Sequence, residues 1–156
     1  MDSFMETKFQ TLAPAEGSLP EEHDFAGEHM IAAFVGKPAG PTLIAVGSLH
    51  GNEPGGALAL SNVAKKLTGL SDKLKGRVYF LVGNTRARAA GVRFIDDDLN
   101  RVWTASKLSS ERAVTMTNSS ERAELREMDA ILDGLLITAM DEVFVLDLHS
   151  TSTGGM

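Results

Sequence analysis

Val78-Tyr79-Phe80-Leu81-Val82 is a run of five apolar residues with no polar interruption. A strand with one wet face alternates apolar and polar positions, whereas an unbroken run suits a strand covered on both faces, as in a parallel sheet between helices. A second such run, Thr42 to Val46, comes earlier, and between the two Leu60, Val63, Ala64 and Leu67 recur at helical spacing. Pro54 suits the first turn of that helix and Gly69 its stop. Strand, helix and strand in this order restrict the chain to an α/β architecture with a mostly parallel sheet and helices on both faces. Met30 to Val35 reads as a further strand, joined to Thr42–Val46 through the turn-like segment 36–41. Asn118 and Glu121 have capping-box spacing, Met128, Ile131, Leu132, Leu135 and Leu136 mark one helix face, and 142–148 reads as a closing strand.

At 156 residues the chain has the length of one domain with its own core. Its net charge of −6 is unevenly placed. Seven acids and one base, Lys8, fall in residues 1–28, and the remainder is balanced at 14 of each sign. Residues 1–28 therefore read as an acidic N-terminal arm and 29–156 as the folded body. A balanced body offers no basic stripe for a phosphate backbone, which argues against a nucleic-acid partner. With no cysteine, disulfides and thiolate-bound zinc are excluded, so any metal site must use histidines and carboxylates. No secretory leader pattern and no long apolar run is present, so a cytoplasmic location away from membranes is expected.

In open α/β sheets, ligands bind beyond the carboxyl ends of the strands, and the loops there hold the unusual residues. After Val46 comes Gly47-Ser48-Leu49-His50-Gly51-Asn52-Glu53-Pro54. His50 and Glu53 are three apart across a strand-to-helix junction, close enough to reach one ion, and imidazole with carboxylate suits zinc. The ordinary alternative is a loop histidine beside a glutamate favoured by the helix dipole. The loop lacks both the P-loop ending and a G-x-G-x-x-G pattern. After the last strand comes Asp147-Leu148-His149-Ser150, where His149 would supply a third ligand and leave a fourth position open. Asp147, two residues earlier on the same side of the strand, either orients that histidine or is an ordinary strand-end residue. The long segment 84–118 holds Arg93, Asn100 and Arg101, a set suited to binding an anion. Their alternative is surface pairing with Asp96, Asp97 and Asp98.

Taken in order, Gly47-Ser-Leu-His50-Gly-Asn-Glu53, Arg93 with Asp98-Leu-Asn100-Arg101, and Asp147-Leu-His149-Ser-Thr resemble the succinylglutamate desuccinylase and aspartoacylase family, relatives of the zinc carboxypeptidases. The resemblance runs from about Met30 to Gly155. It implies that His50, Glu53 and His149 hold one zinc ion, that Arg93 polarises the scissile carbonyl, and that Asn100 and Arg101 grip a substrate carboxylate. The implied activity is a zinc-dependent deacylase cleaving an amide or ester bond in a small carboxylate-bearing N-acyl compound, such as an N-acyl amino acid. A carboxypeptidase-like metallopeptidase and a zinc-binding fragment without turnover are the alternatives. Family members continue past the third ligand to a catalytic glutamate and a β-rich domain. The chain is accordingly expected to be a truncated N-terminal portion, with its general base beyond Met156.

Overall fold

The computed structural model describes residues 29–103 and 119–150. The acidic segment 1–28 and Asn118 lie outside them. The elements are β1 (Met30–Val35), β2 (Lys37–Gly47), α1 (Gly55–Leu67), a 3-10 helix (Thr68–Lys73), β3 (Lys75–Val82), α2 (Thr85–Ala90), α3 (Leu99–Val102), α4 (Ser120–Ile137) and β4 (Val143–Leu148). The four strands form one sheet in the order β1-β3-β2-β4. β3 and β4 both run parallel to β2, and β1 is antiparallel to β3.

Each unbroken apolar run feeds two cores. Tyr79 and Leu81 of β3 and Ile44 and Val46 of β2 face one side, where they meet Leu99 and Val102 of α3 and Leu125, Met128 and Leu135 of α4. Val78, Phe80 and Val82, with Ala45, face the other and meet Ala57, Leu60 and Ala64 of α1. The sheet is thus sandwiched between helices as the lack of alternation requires. A Cβ on Gly56 would lie 2.6 Å from the Leu148 carbonyl oxygen, so a glycine lets the start of α1 sit against the end of β4.

Several details differ from the sequence reading. Segment 36–41 is not a free turn, because β2 begins at Lys37, which pairs with Lys75 before an irregularity precedes Thr42. Gly40 at φ 146 carries the chain through it. Val63 and Leu136, expected on buried faces, are exposed, and Ala57 and Leu125 take up the buried stripes of α1 and α4. The helix-capping residue of α4 is Ser119, whose hydroxyl accepts from the Arg122 N–H at 3.3 Å. Glu121 does not fold back as a capping box; its carboxylate reaches across to the loop before α3.

β4 lies at the edge of the sheet, paired among the described residues with β2 alone. Phe144, Val145 and Leu146 are more than half exposed on it. No helix among the described residues is long and apolar enough to cross a membrane.

Candidate metal centre

β2 ends at Gly47, and the next six residues form a knot of backbone contacts. Ser48 takes φ 58, a left-handed conformation that costs a non-glycine residue energy and collects at functional sites. Its buried hydroxyl donates to the Glu53 carbonyl at 3.0 Å, and the Glu53 N–H donates to the His50 carbonyl at 3.1 Å. The Gly51 N–H donates to the Arg93 carbonyl at 3.0 Å, and a Cβ on Gly51 would overlap the backbone of Ala87. His50 and Glu53 are therefore presented by a loop fixed on both sides. His149 follows β4, which the parallel register sets beside β2, with Gly47 opposite Leu148.

Parallel pairing thus brings together residues from opposite ends of the described chain. One donor atom from each of His50, Glu53 and His149 falls within a set whose members lie within 4.8 Å of one another. The two imidazole rings meet edge to face, centroids 4.9 Å apart. His50 Nδ1 lies 3.2 Å from Glu53 Oε1, and it is buried without a hydrogen-bond partner. His50 Nε2 lies 3.1 Å from Asp98 Oδ1. His149 Nδ1 lies 2.7 Å from Asp147 Oδ2, leaving its Nε2 available. Glu53 Oε2 accepts from the Ser150 N–H at 3.1 Å and the Ser150 hydroxyl at 3.2 Å.

The electrostatics indicate which atoms are free. Burial alone would raise the carboxyl of Glu53, but hydrogen bonds from Ser150 and the nearby His50 and His149 outweigh it and hold the group below its ordinary value. Burial likewise opposes the His50 hydrogen bond and the charges of His50 and Arg93 at Asp98, which ends below its ordinary value. An ionised Asp98 can only accept and a guanidinium can only donate, and His50 Nε2 lies between the two, 3.1 Å from Asp98 Oδ1 and 3.0 Å from Arg93 Nη2, while Nδ1 is left without a hydrogen bond. That orphaned nitrogen faces Glu53 Oε1. An imidazole backed by a carboxylate, a second imidazole backed by another, and a carboxylate between them make a donor set suited to zinc.

Arg93 lies in the same group. Its Nη1 donates to Glu53 Oε1 at 3.1 Å, and its Nη2 is 3.0 Å from His50 Nε2 and 3.8 Å from Asp98 Oδ2. Arg101 is more peripheral, 85% exposed, with Nε 3.6 Å from Asp98 Oδ2. Asn100 is exposed at the start of α3, and its N–H donates to Asp98 Oδ1 at 3.1 Å. Asp98 therefore connects Asn100 and Arg101 to His50.

Sequence reasoning placed Asp98 among charges that offset the arginines and did not pair it with His50. It gave Ser150 no role. Nor did it find the glutamates of α4, spaced three apart. Glu121 takes the N–H groups of Ile95, Asp96 and Asp97. Glu124 takes the N–H and hydroxyl of Thr85 and the N–H and guanidinium of Arg86. Glu127 takes the Arg86 guanidinium at 2.7 Å. The signal was present in Glu121-x-x-Glu124-x-x-Glu127, which sits next to the apolar positions Leu125 and Met128 and so cannot be a wholly solvated stripe. A second histidine belongs to this network. His29 Nδ1 lies 2.7 Å from the Val82 carbonyl, and its Nε2 lies 3.2 Å from Glu124 Oε2 and 3.3 Å from Glu127 Oε2.

The fold and this site describe an α/β domain with a histidine–carboxylate cluster at the carboxyl ends of two parallel strands. The succinylglutamate desuccinylase/aspartoacylase catalytic domain model matches residues 39–155, and the chain belongs to that family. A succinylglutamate desuccinylase of Shewanella sp. (strain MR-7) is 30% identical over 133 residues, which is 79% of this chain and 37% of that protein. One of Pseudomonas paraeruginosa is 36% identical over 64 residues, 41% of this chain and 19% of that protein. Among solved structures, the succinylglutamate desuccinylase of Chromobacterium violaceum superposes with a TM-score of 0.56 at 18% identity, over 70% of this chain and 32% of its own. That of Vibrio cholerae gives 0.55 at 20% identity, over 70% and 30%. The chain thus spans about a fifth to two fifths of the relatives it matches.

Proposed function

We propose that this chain carries the metal-binding part of a zinc-dependent deacylase that cleaves an amide or ester bond in a small N-acyl compound bearing a carboxylate, such as an N-acyl amino acid. The observation that carries the reading is the buried, unpartnered Nδ1 of His50 facing Glu53 and His149. His50, Glu53 and His149 would hold the ion. When bound, zinc supplies Lewis-acid polarisation of an acyl carbonyl and a hydrolytic nucleophile near neutral pH.

The chain's own residues orient these ligands and the substrate. Asp98 and Asp147 orient the two imidazoles they touch, His50 through Nε2 and His149 through Nδ1. Ser150 holds Glu53 through one oxygen and leaves the other directed at His50. Arg93, a forked donor at the cluster, is placed to stabilise charge developing on the acyl oxygen. Arg101, largely exposed beside Asp98, is placed to receive a substrate carboxylate with Asn100 next to it. Family membership favours a deacylase over the carboxypeptidase-like alternative.

The test has two parts. Elemental analysis of folded protein purified without chelator should find close to one zinc per chain. In an active protein containing this chain, an N-acyl amino acid should be hydrolysed in preference to its carboxamide, by about 30-fold or more in kcat/KM, and Arg101→Ala should remove most of that preference. Metal-free folded protein would reject the zinc centre, and equal turnover of acid and amide would reject the carboxylate grip.

A further inference from the structure

We infer that Glu121 is a positioning residue for the metal centre, the buried anion around which segment 95–97 folds so that Asp98 meets His50 and Arg93 meets Glu53. The inference rests on the zinc reading above and concerns a residue on α4 that touches none of the proposed ligands. Its side chain is fully buried at 0% exposure. Oε1 accepts from the Ile95 N–H at 2.7 Å and from Asn84 Nδ2 at 3.2 Å. Oε2 accepts from the Asp96 N–H at 2.9 Å and the Asp97 N–H at 3.1 Å.

Three successive backbone N–H groups converging on one anion form a nest, a loop shape that exists because there is an anion to enclose. The enclosing residues make the choice of anion informative. Asp96, Asp97 and Asp98 already concentrate negative charge in this loop, so a fourth carboxylate is unfavourable there unless its hydrogen bonds are needed. Four donors and no acceptor face it, a demand that a carboxylate meets and an amide does not, since a glutamine NH2 would oppose one pair of N–H groups.

The clamped tripeptide lies between the two residues that reach the metal cluster. On its carboxyl side is Asp98, whose Oδ1 takes both His50 Nε2 and the Asn100 N–H. Two residues before it is Arg93, whose carbonyl takes the Gly51 N–H next to His50 and whose guanidinium takes Glu53. Asn84, the remaining donor to Glu121, caps α2 by accepting from the Ala87 N–H at 3.0 Å. The start of α2, the 95–97 loop and α4 are therefore tied at one carboxylate. Glu124 provides a matched comparison. It lies on the same helix, is equally buried and also accepts four hydrogen bonds, but all four come from Thr85 and Arg86 rather than from the loop that carries Asp98.

The experiment measures zinc affinity of the whole chain by competition with a chromophoric chelator, with fold and thermal midpoint monitored by circular dichroism. The variants are Glu121→Gln, Glu124→Gln, Asp98→Asn and the double variant Glu121→Gln/Asp98→Asn. Glu121→Gln and Asp98→Asn should each weaken zinc binding by about tenfold, the effect expected of a group one shell removed from a metal ligand. Because Glu121 acts through Asp98, the double variant should be no weaker than Asp98→Asn by more than about twofold. Glu124→Gln should lower the thermal midpoint while shifting zinc affinity by less than about twofold, which separates positioning from general stability. Wild-type zinc affinity in Glu121→Gln, fully additive losses in the double variant, or an equal loss in Glu124→Gln would each overturn the proposal. If Glu121→Gln does not fold, the same cycle with Glu121→Asp, which keeps the charge and withdraws it by one methylene, is read by the same criteria. A folded wild type that takes up no zinc overturns the zinc reading itself, a result distinct from any difference among variants.

Discussion

The His50–Glu53–His149 group and the His29–Glu124–Glu127 group each bring an imidazole and carboxylates within reach of one ion. They differ in what their atoms are already doing. At the second group His29 Nδ1 has the Val82 carbonyl, and the Arg86 guanidinium joins both carboxylates at 2.8 and 2.7 Å, so a cation is already built in. Arg86 in turn is held above its ordinary value, chiefly by the hydrogen bond from its guanidinium to Glu127. At the first group a buried nitrogen has no hydrogen-bond partner, and the histidines are backed by Asp98 and Asp147 on the sides away from one another. Proximity of donors is common to both; a buried nitrogen without a hydrogen bond belongs, among the described residues, to the first. A guanidinium touches one carboxylate of the first cluster, Arg93 on Glu53 Oε1 at 3.1 Å, and bridges both carboxylates of the second, so a metal would meet more competition at the second.

The largest effect should come from exchanging which histidine is removed. Structural zinc sites are worth about 10–16 kcal/mol apparent, several kcal/mol for each of three or four ligands, so His50→Ala or His149→Ala should weaken zinc binding on the order of a thousandfold. His29→Ala should leave zinc stoichiometry and affinity unchanged and lower the unfolding midpoint instead. If the ion followed His29, the comparison would be inverted.

A smaller effect, of opposite sign, is expected at Arg93. Its guanidinium holds the Glu53 oxygen that faces His50, so in the metal-bound protein it is a like charge beside the ion. Arg93→Ala should tighten zinc binding by about fivefold, corresponding to ~1 kcal/mol for unit charges 4 Å apart in water, while depressing kcat in any active protein that contains the chain. Weaker zinc binding in this variant would mean that Arg93 supports the site rather than competing at it.

The smallest effect concerns acid stability of the second cluster. Burial pushes the Glu127 carboxyl up, but the hydrogen bond and charge of Arg86, with His29, hold it below its ordinary value. A carboxyl depressed by folding contributes stability that is complete above the unfolded value of about 4.3 and is lost as the pH falls through the lower folded value. Urea unfolding between about pH 6 and 3 should therefore show wild type more stable than Glu127→Gln at the upper end and the gap closing at the lower end. A gap that stays constant would show that Glu127 is held by something other than its charge.

Much of this architecture could be read in the chain because the relevant signals are local. Unbroken apolar runs marked β2 and β3, helical spacing marked α1 and α4, and His50 and Glu53 follow β2 while His149 follows β4. Less legible were features that depend on contacts across the fold. Glu121 has the spacing of a capping residue, and only the packing of α4 against the 95–97 loop turns its side chain to other donors. Asp98 is one of three consecutive aspartates, and nothing in their spacing distinguishes the one that meets a histidine 48 positions earlier. Segment 36–41 has turn composition yet extends β2, because pairing with β3 supplies hydrogen bonds that local propensity does not foresee.

The position of β4 has a further consequence. Among the described residues it is attached to the sheet on one side only, and it delivers His149, whereas His50 and Glu53 are anchored in the interior. An ion held by all three would act as a reversible cross-link between points about a hundred residues apart, and in the chain-entropy account of such links closing a loop of that length is worth about 4 to 5 kcal/mol. Zinc would then govern the fraying of the last strand as well as chemistry: amides of 143–148 should exchange quickly in chelator and slowly in zinc, with those of 78–82 little changed. Equal protection of 143–148 in both conditions would mean that the strand needs no such tether.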